Sequence, residues 1–157
     1  MTIRPLRRED KEPIQTLLRA TDVFNEEEID VAIELMEICL DDPEQKDYEI
    51  FTSVDDGDRV SGYVCIGPTP ATHGTYDLYW IAVTPDEHGK GVGSELLRFT
   101  EEHLRAKGGR LLIAETSSTP KYEKTRAFYL RKGFEERACI KEYYRPGDDL
   151  IIYGKYL

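Results

Sequence analysis

Residues 83–94 carry the most chemistry-bearing pattern in the chain. They read Val83-Thr-Pro-Asp-Glu-His-Gly-Lys-Gly-Val-Gly-Ser, with Gly89, Gly91 and Gly93 at alternate positions. Glycine lets backbone N–H groups approach an anion with no Cβ in the way. Several such donors beside the positive end of a helix suit a pyrophosphate, which needs many convergent donors, and Lys90 adds a nearby positive charge. Two common phosphate loops do not fit. A P-loop requires Ser or Thr after Gly-Lys, whereas Lys90 is followed by Gly91. The dinucleotide fingerprint G-x-G-x-x-G fails at Ser94 when counted from Gly89, and at Leu96 when counted from Gly91.

A strand and a helix must hold this loop, and the flanking periodicity supplies both. Tyr76–Val83 is aromatic and β-branched and ends at Pro85; Val92, Leu96, Leu97, Phe99 and Leu104 then recur at helical spacing to about Lys107, where Gly108-Gly109 closes the run. Upstream, Ile3 and Leu6 flank a short strand. Asp10 is placed to cap a helix carrying Ile14, Leu17 and Leu18 on one side. Asn25 with Glu28 reads as a capping box for a second helix through Ile29, Ala32, Ile33, Met36 and Leu40, stopped at Asp41-Asp42-Pro43. Tyr48–Val54 and Val60–Gly67 read as strands joined by Asp55-Asp56-Gly57-Asp58. Downstream, Leu111–Ala114 is a short apolar strand, Thr125–Lys132 a short helix with Gly133 as its stop, and Phe134–Tyr144 with Leu150–Tyr156 a last hairpin. The order is β-α-α-β-β-β-α-β-α-β-β, expected to form one domain over 1–157.

Composition narrows the function classes. With 157 residues there is room for one domain with a core. A net charge of -10 argues against a general nucleic-acid binder, which needs a basic face; it is compatible with a cationic substrate. Cys39, Cys65 and Cys139 are odd in number and far apart, which suits reduced thiols in the cytoplasm. His73, His88 and His103 show no metal-ligand spacing with them, so no metal site is expected. The start, Met1-Thr-Ile-Arg-Pro, does not read as a signal peptide, and no apolar run reaches membrane length.

The pattern Val83-x-Pro85-x-x-His88-Gly89-x-Gly91-Val92-Gly93 resembles the acyl-CoA loop of the GCN5-related N-acetyltransferases, the GNAT family. One position departs, since His88 stands where that loop carries Gln or Arg. At the right distance, Ala127-Phe-Tyr-Leu-Arg-Lys-Gly-Phe134 resembles the family's A-x-x-F/Y-Y-x-x-x-G-F segment. The resemblance is good from about Tyr48 to the C-terminus. The strand end Leu112-Ile-Ala-Glu115 and the hairpin with Lys141-Glu-Tyr-Tyr144 resemble the ribosomal-protein N-terminal acetyltransferase subgroup.

That resemblance implies a mixed α/β fold with a mostly antiparallel central sheet of six to seven strands flanked by four helices. It implies acetyl-CoA as cosubstrate, no metal, and transfer of an acetyl group to a primary amine by direct attack in a ternary complex; no cysteine is placed as an acyl carrier. Ile81, Ala82 and Val83 are expected along the pantetheine arm, and His88, Gly89, Lys90, Gly91, Val92, Gly93 and Ser94 around the pyrophosphate. Tyr129 is the expected general acid. Glu115, at the end of an apolar strand and partly desolvated, is the expected general base, with Tyr79, Asp77 and Glu49 as alternatives acting through water. Arg126 and Arg131 are within reach of the coenzyme phosphates, and the Tyr143–Tyr144 pair is placed to wall the acceptor site. The acceptor stays open among a peptide N-terminus, a lysine, an amino acid and a small amine, as do a homodimer and the acyl chain. No nucleic-acid or membrane partner is expected. Two rivals stay open: a non-catalytic acyl-CoA-binding sensor of the same fold, and a dehydrogenase-like nucleotide binder.

Overall fold

The computed structural model describes residues 1–157. Seven strands form one sheet: β1 Thr2–Pro5, β2 Glu49–Val54, β3 Val60–Pro68, β4 Thr75–Val83, β5 Leu111–Ser117, β6 Glu135–Arg145 and β7 Asp148–Tyr156, in the spatial order β1-β2-β3-β4-β5-β7-β6. Every neighbouring pair is antiparallel except β4 with β5. Four helices cover it: α1 Lys11–Ala20, α2 Glu26–Asp41, α3 Val92–Ala106 and α4 Glu123–Arg131.

The alternation of β3 explains the layering. Val64 and Ile66 join a core with Leu96, Leu97 and Leu104 of α3, whereas Tyr63 and Cys65 join a second core with Ile14 and Leu18 of α1 and Ile29 and Met36 of α2. The strand is therefore buried on both faces, with α1 and α2 on one side of the sheet and α3 and α4 on the other.

One irregularity in β4 decides where the site lies. Cys65 pairs with Trp80 but Ile66 with Leu78, so Tyr79 is an extra residue on β4. A single inserted residue reverses which face each later side chain takes. Leu78 accordingly belongs to the α3 side of the core, while Ala82, four positions on, belongs to the α1/α2 side. Beyond the bulge β4 leaves β5: the two pair only at Thr75–Leu111, Tyr76–Leu112 and Asp77–Ile113.

Several local expectations are corrected. Asp10 does not cap α1. Its carboxylate is buried, receives two bonds from the Arg4 guanidinium at 2.7 and 3.0 Å, and accepts the Arg7 N–H at 2.8 Å, bracing a short 3-10 turn before the helix. The Asn25–Glu28 capping box is present in both directions, at 2.8 and 3.0 Å. Helix α4 starts at Glu123, two residues earlier than the sequence pattern suggests, and Phe134 lies in the core before β6. Strand β5 runs on to Ser117, so Glu115 sits within it and not at its end.

The Arg4–Asp10 pair carries a stability prediction. Burial alone would raise the Asp10 carboxyl, but the Arg4 guanidinium and the Arg7 N–H outweigh it and hold it below its ordinary value. A lowered carboxylate contributes stability above its unfolded pKa and loses it as pH falls through the folded one. Asp10→Asn leaves a buried guanidinium short of its partner, and is expected to cost about 3 kcal/mol. Thermal melts at pH 7 should show a fall of roughly 6–12 °C, with a smaller difference from wild type near pH 3. Equal melting points at pH 7 would remove the pair from the stability account.

Candidate active site

The loop between β4 and α3 is built to present bare N–H groups. Gly91 is the N-cap of α3 at φ 87°, and no side chain caps the helix. Glu95 is the first residue whose N–H bonds back within this end, to the Gly91 carbonyl. The N–H groups of Gly89, Gly91, Val92, Gly93 and Ser94 have no backbone acceptor and converge on one groove. Gly89 also has a positive φ, 79°, and a Cβ added at either Gly89 or Gly91 would meet nothing within 4 Å. The loop is held by conformation, with open space where side chains at Gly89 and Gly91 would stand.

That groove, about 430 Å³, is lined by Ile81, Ala82, Val83, His88, Gly89, Gly91, Val92, Gly93 and Ser94, nine of the ten residues expected there. Lys90 is not among them; it pairs at 3.6 Å with Glu87, a carboxylate that does line the groove. The positive wall comes from α4, where Lys124, Arg131 and Lys132 line the groove opposite the loop, and Phe128 lies between them against Gly93. Lys124, Phe128, Arg131 and Lys132 follow helical i, i+4, i+7, i+8 spacing, and that periodicity is the signal that would have found Lys124 and Lys132. Arg126 has another role: it donates to the Ser117 and Thr119 carbonyls at 2.8 and 2.7 Å and ties the end of β5 to α4.

His88, the departure from the loop pattern, bonds through its ring Nε2 to the Val83 carbonyl at 2.8 Å. It closes the loop back onto β4. The same strand edge faces the gap toward β5. Thr84 donates to Ser61 at 2.8 Å on the β3 side, so alternation turns the N–H groups of Val83 and Ile81 the other way. These are the donors a developing oxyanion requires in a slot between parted strands.

A second cavity of about 530 Å³ adjoins the far end of the slot. The first groove reaches Ile81; the second begins at Trp80 and Tyr79 and includes Glu115, Thr116, Tyr122 and Tyr144. Glu115 stands at this junction on β5, two residues past the last β4–β5 pair. Partial burial, and then the nearby Asp77 charge, push its carboxyl up from the usual range. Asp77 itself accepts from the Thr69 hydroxyl at 2.8 Å, with the Tyr79 hydroxyl at 3.4 Å. Burial, with Asp77 next, pushes the Tyr79 phenol up to about 12. Glu49 lies elsewhere, bound to His103 at 3.0 Å and Lys107 at 3.1 Å against α3.

Tyr129 lines neither cavity. It is 5% exposed on α4, packed against Phe128, Phe134 and Tyr153 at ring separations of 5.8, 5.1 and 5.9 Å, and burial pushes its phenol up, so it holds its proton at neutral pH. Of the hairpin tyrosines, Tyr144 lines the second cavity while Tyr143 stacks edge-on against it at 5.0 Å, outside.

A family model described as the acetyltransferase (GNAT) family matches residues 12–134, most of the chain, including the loop, the open edge of β4 and Glu115. The chain belongs to the GNAT family. It is an acyltransferase by that membership. A solved structure from Desulfovibrio desulfuricans, assigned to GNAT-family acetyltransferases, is 44% identical, with a TM-score of 0.93 over 99% of this chain and 98% of that one. The ribosomal-protein-S18-alanine N-acetyltransferase of Escherichia coli is 20% identical with a TM-score of 0.77 over 99% of this chain and 92% of that one. An aminoglycoside 6'-N-acetyltransferase complexed with coenzyme A is 18% identical with a TM-score of 0.76, over 99% and 97%. These last two share the GNAT fold. Among curated proteins, the one named Probable N-acetyltransferase 14, from Xenopus tropicalis, is 36% identical over 73 residues, 46% of this chain. The match covers about a third of that relative's length, 35%.

Proposed function

We propose that the chain is an acetyl-CoA-dependent N-acetyltransferase that acetylates a primary amine by direct attack in a ternary complex. The observation that carries this reading is the continuity of the site: uncapped loop, open edge of β4 and Glu115 cavity follow one another along the gap between β4 and β5. The free N–H groups of Gly89, Gly91, Val92, Gly93 and Ser94 and the cations of Lys124, Arg131 and Lys132 fit a pyrophosphate, and a slot with donors on one edge fits an extended amide-bearing arm.

When bound, acetyl-CoA supplies a thioester carbonyl open to attack by nitrogen. Glu115, directly or through a water, takes the proton that the amine loses as the C–N bond forms. The Ile81 and Val83 N–H groups are placed for the charge that develops on the carbonyl oxygen. As the C–S bond breaks, the departing sulfur takes up a proton, and Tyr129 is the proposed donor; its ring lies behind the groove, next to Phe128, so this role requires the α4 wall to yield as the coenzyme enters. None of the three cysteines lines the groove or the second cavity, which supports a one-step transfer, and their free thiols suit a reducing, cytoplasmic setting.

Release of free thiol from acetyl-CoA over a panel of amines tests the reading. Turnover should require both substrates and give intersecting initial-rate plots. Stabilisation by acetyl-CoA with no thiol release for any amine would instead make the chain a binding module. Tyr129→Phe keeps the ring and removes the proton, and should lower kcat about tenfold while leaving acetyl-CoA affinity unchanged. An unchanged kcat would leave Tyr129 a packing residue.

A further inference from the structure

The cavity beyond Glu115 is aromatic and acidic. Phe24 meets the Trp80 ring edge-on at 4.9 Å and lies 6.4 Å from Tyr122. The Tyr122 hydroxyl donates to Glu28 at 3.1 Å, across 94 residues of sequence, while the other Glu28 oxygen accepts the Asn25 N–H at 3.0 Å. One carboxylate therefore ties the start of α2 to the segment before α4.

Charge within the cavity is unbalanced. Glu27, Glu28, Glu115 and Asp148 line it against Lys121 and Arg145, an excess of two carboxylates. Arg145 is already 3.6 Å from Asp148, and the Ser117 hydroxyl donates to the same Asp148 at 2.5 Å. The Tyr144 hydroxyl faces Glu115, Asp148 and Glu28; burial first, and then these charges, push it up to about 12. Its π face and that of Tyr122 are surfaces on which an ammonium is stabilised when water is excluded.

We propose that the acceptor is a small, unbranched diamine or polyamine: one nitrogen reaches Glu115 and takes the acetyl group, and a second, remaining cationic, sits between the rings of Tyr122 and Tyr144 and the carboxylates of Glu28 and Asp148. This rests on the acyl-transfer reading above. A dication matches the excess of two carboxylates, its slender methylene chain suits the aromatic walls, and its size suits a cavity of about 530 Å³.

The test compares putrescine and spermidine with butylamine, and with a short peptide bearing a free N-terminal alanine, at fixed acetyl-CoA. Putrescine should exceed butylamine in kcat/KM on the order of 10-fold, because an acceptor lacking the second nitrogen forgoes the cation–π contact and the attraction of the excess carboxylates. Tyr144→Phe and Asp148→Asn should shrink that ratio. Since Asp148 also holds Ser117, Glu27→Gln, on the exposed first turn of α2, serves as the variant free of folding risk and should shrink it too. Equal rates for butylamine and putrescine, or a preference for the peptide, would overturn the diamine assignment and leave acetyl transfer standing. Thiol release with none of these amines, despite acetyl-CoA binding, would overturn the acyl-transfer reading itself.

Discussion

Gly91→Asp is expected to weaken coenzyme A binding by about 10³-fold, roughly 4 kcal/mol, while leaving the fold intact. Gly91 sits at φ 87°, and a Cβ placed there would have nothing within 4 Å, so the new side chain meets open space. Aspartate is among the few residues that enter the left-handed region, at a strain of about 1–2 kcal/mol, and a negative charge at a helix N-terminus offsets part of this. The same carboxylate lies against the N–H groups of Val92, Gly93 and Ser94, where it competes with the pyrophosphate and repels it. Calorimetric titration with coenzyme A, beside thermal melts without it, separates the two effects. Affinity within threefold of wild type, with an unshifted melt, would refute the anion-cradle role of the loop.

Glu115→Gln is expected to lower kcat about 10³-fold and to remove the acidic limb of the pH–rate profile. The carboxyl is raised by partial burial and then by Asp77, and it must be ionised to accept a proton. Wild-type activity should therefore climb as pH rises through a value above the ordinary glutamate pKa, and the variant should lack that climb. The stability effect runs the other way. A raised carboxyl pKa means the ionised form is disfavoured by the fold, so its stabilising contribution is present below the unfolded pKa and lost as pH rises through the folded one. Glu115→Gln should consequently melt higher than wild type at pH 7, with no gain at pH 4. A kcat within threefold of wild type would move the base to Asp77 or Tyr79.

Much of the scaffold is legible in sequence because its signals are local. The Asn25–Glu28 box spans three residues, and the strands β2 and β3 announce themselves by composition. The loop after Val83 is a run of glycines whose purpose depends on little beyond its neighbours. The bulge at Tyr79 is not legible: nothing in Asp77-Leu-Tyr-Trp80 marks an extra residue, which is defined only by pairing with β3. Yet that bulge aligns Ile81 and Val83 with the slot. Strand β5 reads short in sequence because Glu115, Thr116 and Ser117 are polar; pairing with Ile152, Ile151 and Leu150 of β7 keeps them extended. Asp10 has the chemistry of a helix cap, and only the approach of Arg4 diverts it. The Tyr122–Glu28 bond joins residues 94 apart, so no spacing rule anticipates it.

The three residue pairs that hold β4 to β5 make the sheet mechanically two plates joined by a short hinge: β1 to β4 on one side, and β5, β7 and β6 on the other. Behind that ladder one core holds the two halves together, joining Val64, Ile66 and Leu78 to Leu112, Ala114 and Tyr153. A molecule lodged along the gap touches both and acts as a splint. The width of the slot is thus set by the packing behind it, and a substitution in that shared core would change which bodies the gap admits.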